Sequence, residues 1–405
     1  MKNKHLPVAL WVALSLILLA SCQYNLEALL GSGIYGKTSE TSASVLAASQ
    51  VPENITSNAQ PNEYDPAAAL YNGIQLAWFY KPPADGNLNT IADHFDVFIL
   101  TKNDEKVRDS LNSLGVTTPF LQYLRFDAIQ DRGSCSKRPA GNQVAYEEGD
   151  FCWIDSRYPD WFLLDTAGRR IAKEDYYFMD PGSQGWRDFW LQRASLSQEM
   201  WGWDGVFLDN VEASLAKRES LGPLPASYPD DVSYQQASES FLQYLYLTYF
   251  KPQGRPLYAN IVALREPEVW LRYMQYLDGA MLEAFAVGWN EDYLSPEEWE
   301  EQMVMVEKTQ SLGKSVILVA QGEQDDLQRE QFALASYLLV NNGLASFRYA
   351  HYRDYNKTWL YDNYWLDLGK PLAPRYQQGK VWKRDFANGV VTVDPAGHTS
   401  SIEMK

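Results

Sequence analysis

Two stretches of this chain share one form. Asp204-Gly205-Val206-Phe207-Leu208-Asp209 and Asp278-Gly279-Ala280-Met281-Leu282-Glu283 each run Asp-Gly, two apolar residues, Leu, then an acid. A short apolar run that opens through an Asp-Gly turn and stops at a carboxylate reads as a buried strand whose last side chain emerges at the rim of a sheet. One acid at a strand end is ordinarily explained by capping the next helix or by pairing with an arginine. Two acids in parallel settings suggest a working pair. Carboxylates that face each other across a sugar are the minimum equipment for glycoside hydrolysis, one as general acid and the other as nucleophile or base. Asp209 and Glu283 are therefore the candidate catalytic residues, and the polar tail Asp209-Asn210-Val211-Glu212 adds Asn210 and Glu212 as candidate substrate ligands.

The elements that must position such a pair can be read from the apolar runs. Eight strands are expected, at Ile74–Tyr80, Val97–Thr101, Phe120–Phe126, Gly205–Asp209, Leu257–Ile261, Gly279–Glu283, Ser315–Ala320 and Leu344–Tyr349. Amphipathic stretches such as Asp104–Leu114, Trp186–Met200, Ser238–Phe250, Pro296–Leu312 and Leu327–Leu339 separate most of them. Strands alternating with helices imply a parallel sheet, and eight units within 276 residues suit the ~250-residue (β/α)8 TIM barrel, an α/β fold. An open doubly wound sheet is the alternative. Lys81-Pro82-Pro83-Ala84-Asp85 follows the first strand in place of a glycine-rich phosphate fingerprint, so dinucleotide binding loses support and no cofactor is expected.

Asp127 to Asp204, after the third strand, far exceeds a helical crossover. In a barrel this insertion emerges on the C-terminal face, where active sites are built, and reads as a substrate-facing lid. Residues 71–350 are assigned to the barrel. Residues 351–405 form an extension that packs on it, containing a last helix region and a small β cap with the hairpin-like Val381–Asp394. The aromatic cluster in this extension, Tyr355 and Trp359 among its members, is taken as structural.

The other strand ends supply a lining. Aromatic faces stack on sugar rings, while Arg, Asn and Gln direct hydrogen bonds at hydroxyls. Trp78, Tyr80, Tyr123, Arg125, Asn260 and Arg348 are the favoured substrate-binding residues. Trp153, Asp155, Trp289 and Asn290 sit on rim loops, where loop packing is the simpler reading.

A family resemblance rests on three segments: Gly205–Glu212, Met179-Asp180-Pro181-Gly182-Ser183-Gln184-Gly185-Trp186-Arg187-Asp188-Phe189-Trp190, and Arg384-Asp385-Phe386-Ala387-Asn388-Gly389-Val390-Val391-Thr392-Val393-Asp394-Pro395. Together they resemble hypothetical glycosyl hydrolase family 15, over about Gly73 to Pro395. The Asp-Gly-x-Phe-Leu-Asp core also resembles glycoside hydrolase family 114, whose members cleave α-linked galactosaminoglycan. The resemblance implies a TIM barrel acting on carbohydrate. By analogy with barrel enzymes that carry Asp on the fourth strand and an acid on the sixth, it implies Asp209 as nucleophile and Glu283 as acid/base, the layout of retaining α-glycosidases. One departure is Asp394, which stands where Asn is expected before Pro395 and concerns a turn.

Residues 1–22 are an export signal. Lys2 and Lys4 precede an apolar run from Leu6 to Ala20, which is too short to be read as a membrane span, and Leu19-Ala20-Ser21-Cys22 resembles the bacterial lipobox. Cys22 is thus the candidate lipidated residue, anchoring the protein to the bacterial cell envelope. Residues 23–70, rich in Ser, Thr, Ala, Asn and Pro, read as a flexible tether. Cys135 and Cys152 remain, and after export they are expected to pair in a disulfide that staples one local excursion. No metal site is expected, since His94, His351 and His398 form no ligand pair.

Composition agrees with a secreted carbohydrate-active protein. A formal charge of −17 repels phosphate backbones, so nucleic acid is not an expected partner. The 14 Trp and 26 Tyr exceed what a core requires and suit a sugar-stacking surface. Two readings stand: a surface-anchored hydrolase of an extracellular or envelope polysaccharide, and a glycan-binding lipoprotein that kept the barrel without catalysis.

Overall fold

The computed structural model describes residues 73–405 apart from 223, 263–265 and 289–291. Cys22, the tether, Trp289 and Asn290 lie outside the described residues. Eight parallel strands pair in chain order: β1 (Ala77–Phe79), β2 (Val97–Leu100), β3 (Phe120–Arg125), β4 (Gly205–Glu212), β5 (Leu257–Val262), β6 (Gly279–Leu282), β7 (Ser315–Gln321) and β8 (Ala345–Ala350). A parallel bridge between Leu76 and Phe347 joins the first to the last, and the Phe347 N–H donates to the Gln75 carbonyl at 2.8 Å. That closure rules out the open sheet. The fold is a TIM barrel.

Period-two alternation sorts the strand side chains. Ala77, Phe79, Ile99, Leu121, Phe207, Met281, Ile317 and Val319 fill the interior. Their neighbours Trp78, Phe98, Leu124, Val206, Leu208, Ala259, Leu282 and Phe347 belong to the larger core between sheet and helices. The strands read as near-continuous apolar runs because both faces are covered. The helices begin where caps are present: Ser183 before Gln184–Trp201, Asp230 before Asp231–Leu245, Asp326 before Leu327–Val340, and a capping box of Ser295 and Glu298 opening Pro296–Ser311.

The N-terminal rim repeats one device on alternate strands. An Asp immediately before each of β2, β4 and β6 accepts the first backbone N–H of the preceding strand region: Asp96 from Leu76 at 2.8 Å, Asp204 from Phe120 at 2.9 Å, and Asp278 from Leu257 at 3.0 Å. Each satisfies a donor that would otherwise lack a strand partner. The glycines of the two Asp-Gly steps have a steric origin. A Cβ at Gly205 would stand 2.3 Å from the Pro256 carbonyl oxygen, and one at Gly279 would stand 2.3 Å from the Tyr258 ring.

The long insertion is folded. Strands Ala128–Gln130, Tyr176–Phe178 and Ala172–Lys173 form a small antiparallel sheet, and the helix Asp150–Arg157 carries Cys152, which is bonded to Cys135. A loop closed over 17 residues contributes about 3 kcal/mol through the entropy of the unfolded chain.

After β8 the chain departs from expectation, because residues 351–405 contain no α-helix. A strap with a single 3-10 turn at Asp362–Trp365 leads to a four-stranded antiparallel cap: β9 (Tyr376–Gln378), β10 (Val381–Phe386), β11 (Gly389–Asp394) and β12 (Thr399–Met404). The buried Arg384 of β10 donates to the carbonyls of Leu338 and Asn341, satisfying the last turn of Leu327–Val340 and fastening the cap to the barrel.

Candidate active site

The C-terminal mouth is where the inward rows end. On β3 the inward positions after Leu121 are Tyr123 and Arg125, on β5 Asn260 follows Tyr258, and Glu283 follows Met281 just beyond β6. On β4, Phe207 points in and Asp209 is the next inward position. The pairing of β4 with β5 then shifts register between Leu208 and Val211, with Asn210 in the left-handed region at φ 60°. This bulge returns Val211 to the outer core while leaving Asp209 in the mouth. Tyr80 has φ 77° and Ala284 has φ 57°, so positive-φ residues lie at or beside Tyr80, Asp209 and Glu283. Left-handed backbone at non-glycine residues costs energy and is concentrated here at the rim. At Tyr80 it has a visible effect: alternation after Phe79 would turn this side chain outward, yet it packs on the interior cluster.

Asn260 joins the two candidate acids. Its Nδ2 donates to Asp209 Oδ1 at 3.1 Å and to Glu283 Oε2 at 3.1 Å. Tyr123 OH donates to Asp209 Oδ2, and Asn210 Nδ2 donates to the same oxygen at 2.8 Å. Glu283 Oε1 has Tyr80 OH and Tyr355 OH at 3.5 Å each, and Gln321 Nε2 at the end of β7 donates to Tyr355 OH at 2.9 Å. The rings form one cluster, with Tyr80 5.1 Å from Tyr123 and 5.3 Å from Tyr355 between centroids.

The electrostatics separate the two acids. Burial, and next the Asp209 charge, push the Glu283 carboxyl up to about 7 against the hydrogen bonds of Asn260, Tyr355 and Tyr80. Burial also raises Asp209, countered chiefly by Tyr123 and Asn260. Tyr80 and Tyr123 are pushed well above the usual phenol range, first by burial, and so remain neutral donors. The pair therefore has one carboxyl that readily keeps a proton near neutral pH, Glu283, and one whose rise on burial is opposed by direct donors, Asp209.

Several expected ligands lie elsewhere. Trp78, between inward Ala77 and Phe79, faces the helices. It is fully buried, packs edge-on against Phe95 at 5.2 Å and donates its indole N–H to the Lys81 carbonyl. Glu212 is buried with Arg218 at 3.2 Å and Lys217 at 2.9 Å. Arg348 does point inward, but it is buried beneath the strap, where it donates to the Tyr355 and Lys357 carbonyls. Arg125 is paired with Asp127 at 3.0 Å and stacks on Tyr176 at 4.3 Å. Trp153 packs on Tyr158 and Phe189 within the insertion, and Asp155 pairs with Arg170. Sequence reading missed Tyr355, on the strap, and Lys217, on the four-residue helix Ala216–Glu219. Tyr355 belongs to the aromatic cluster taken as purely structural, and its sequence neighbourhood has no strand pattern that would aim it inward.

The family model of hypothetical glycosyl hydrolase family 15 matches residues 128–390, well over half of the chain. The chain belongs to that family. Family 15 membership makes it a glycoside hydrolase by class, with carbohydrate as the substrate class. No curated protein matches the sequence. Among solved structures it is similar to the glycoside hydrolase domain of PelA from Pseudomonas aeruginosa, with 16% identity over 69% of this chain and 94% of that one and a TM-score of 0.47. It is also similar to the maltogenic alpha-amylase AmyB from Thermotoga neapolitana, with 11% identity, 79% and 85% coverage and a TM-score of 0.47.

Proposed function

We propose that this family 15 barrel hydrolyses an extracellular or envelope polysaccharide by a retaining mechanism, with Asp209 as nucleophile and Glu283 as acid/base. The observation that carries the reading is the shared amide of Asn260. Oxygens that each lie 3.1 Å from one nitrogen can be no more than 6.2 Å apart. If they accept the two hydrogens of one NH2 group, about 120° apart, the separation is about 5.4 Å. Retaining glycosidases hold their carboxyl groups ~5–5.5 Å apart and inverting ones ~6.5–9.5 Å.

Protonated Glu283 would give its proton to the departing glycosidic oxygen while Asp209 attacks the anomeric carbon, forming a glycosyl ester and releasing the shortened chain. That ester removes the Asp209 charge, the second contribution holding Glu283 up, so the Glu283 carboxyl becomes more acidic once it must act as base. It would then take a proton from the water that cleaves the ester. Tyr123, Asn210 and Asn260 would steady Asp209, and the Tyr80 and Tyr355 rings offer faces for the sugar. Lipidation at Cys22 followed by the 23–70 tether would hold the barrel at the cell envelope.

The test is release of reducing ends from a polysaccharide panel by the soluble barrel, with Glu283→Gln as control, followed by NMR of the first-formed anomer. Activity lost in Glu283→Gln with retained anomeric configuration supports the reading. An inverted product sinks the retaining assignment, and binding without any turnover favours the glycan-binding alternative. Loss of envelope retention in Cys22→Ala tests the anchor.

A further inference from the structure

Beside the catalytic mouth lies a cluster of five charged residues that the reaction above does not use. Arg218 is fully buried and lies within 3.1 Å of Asp127 and 3.2 Å of Glu212, Arg125 pairs with Asp127, and Lys217 reaches Glu212 at 2.9 Å. Lys217 differs from the other cations in two ways. Its side chain is 39% exposed, and its Nζ also reaches a neighbour of Asp209, donating to Asn210 Oδ1 at 2.9 Å. Asn210 in turn donates its Nδ2 to Asp209 Oδ2 at 2.8 Å.

A primary amide has an acceptor end and a donor end, and nothing intrinsic to Asn210 decides which one faces Asp209. An amide turned the other way would aim a carbonyl oxygen at a carboxylate and repel it. An ammonium has donors only, so Lys217 can hold the oxygen end alone. Asn210 sits on the bulge in left-handed backbone, where the ladder provides it with no regular partner.

We propose that Lys217 is a positioning residue: it fixes the sense of the Asn210 amide so that the donor end faces Asp209 and favours its ionised form. Lys217 acts through Asn210 and touches neither the substrate nor the reacting atoms. The inference rests on Asp209 being the nucleophile, but its first readout needs no substrate.

That readout is the titration of the Asp209 carboxyl, followed by 13C NMR in protein labelled at aspartate and assigned by the signal lost in Asp209→Asn. Lys217→Met is expected to move the titration upward by about one unit, because a donor to the charged form has been lost. Lys217→Arg is expected to restore it. In an Asn210→Ala background Lys217→Met adds nothing further. A second measurement uses the panel polysaccharide from which the wild type releases reducing ends: kcat falls in Lys217→Met with KM unchanged, and the acidic limb of the rate profile moves up with the titration.

An unmoved titration in Lys217→Met overturns the proposal. So does an equal shift in the Asn210→Ala background, which would mean that Lys217, or Glu212 left with Arg218 alone, acts through space. A rise in KM alone overturns it by placing Lys217 on the substrate. Asn210→Ala by itself carries the test should Lys217→Met not fold, and it must show the same upward shift. If the titration behaves as expected while the wild type cleaves no glycan, the relay stands and the hydrolase reading falls.

Discussion

The two ends of the same strands use the same residue types in opposite ways. Below β4 and β6, Asp204 and Asp278 each accept a backbone N–H from the neighbouring strand, and Asp278 also accepts Tyr246 OH at 3.1 Å. Above them, Asp209 and Glu283 share the Asn260 amide and lie where burial raises both. A carboxylate bonded to a backbone donor satisfies the fold. Two half-buried carboxylates held close together strain it, and that strain is what a pair of reacting groups requires. The aligned hexapeptides are therefore one structural signal and one chemical signal joined by a buried strand.

The contrast can be broken by substitution. The largest effect is expected at the top: Asp209→Asn or Glu283→Gln lowers turnover on the order of 10³-fold or more in reducing-end assays. The same changes are expected to raise the melting temperature at pH 8. Glu283 is raised from 4.5 to about 7 in the folded state, so the wild type loses stability relative to Glu283→Gln as pH climbs through that interval. A melting temperature at pH 8 that falls in both variants would contradict the account of the upper end.

At the lower end the pattern reverses. Asp278→Ala strands the Leu257 N–H and the Tyr246 hydroxyl, and should cost about 2 kcal/mol by denaturant titration while kcat/KM of the folded enzyme stays within about twofold. A large kinetic loss there, with stability intact, would erase the distinction.

The pH profile sharpens the upper end itself. Because Glu283 must be protonated to act, kcat/KM should fall as pH rises through about 7, and this limb should move to lower pH in any variant that neutralises a neighbouring negative charge. The smallest effect belongs to Tyr355→Phe. It removes one long hydrogen bond that lowers Glu283, so the basic limb moves slightly up and activity falls less than about tenfold.

Alternation made much of the site legible. Once the strands are placed, Tyr123, Arg125, Asn260 and Glu283 fall on inward positions by counting in twos, as Asp209 does from Phe207. Trp78 shows the cost of counting from the wrong phase, since an aromatic at a strand end looks like a stacking platform until its neighbours Ala77 and Phe79 are seen to face the interior. Tyr80 shows the converse, because a positive φ overrode the alternation. Glu212 lies past the bulge, where one extra residue resets the phase of the strand.

The strand runs, the lid-sized insertion and the two acids were all determined by the sequence alone, because hydrophobic period and turn residues are local signals. The cysteine pair was named on compartment and number, and the structure joins it. Only the tertiary structure decided that the sheet closes, through a bridge between residues 271 positions apart, Leu76 and Phe347. It alone brought Tyr355 over Glu283 and Lys217 onto Asn210. Tyr355 lies on an irregular strap and Lys217 on a four-residue helix, and neither is long enough or regular enough to show a period from which the direction of a side chain can be read.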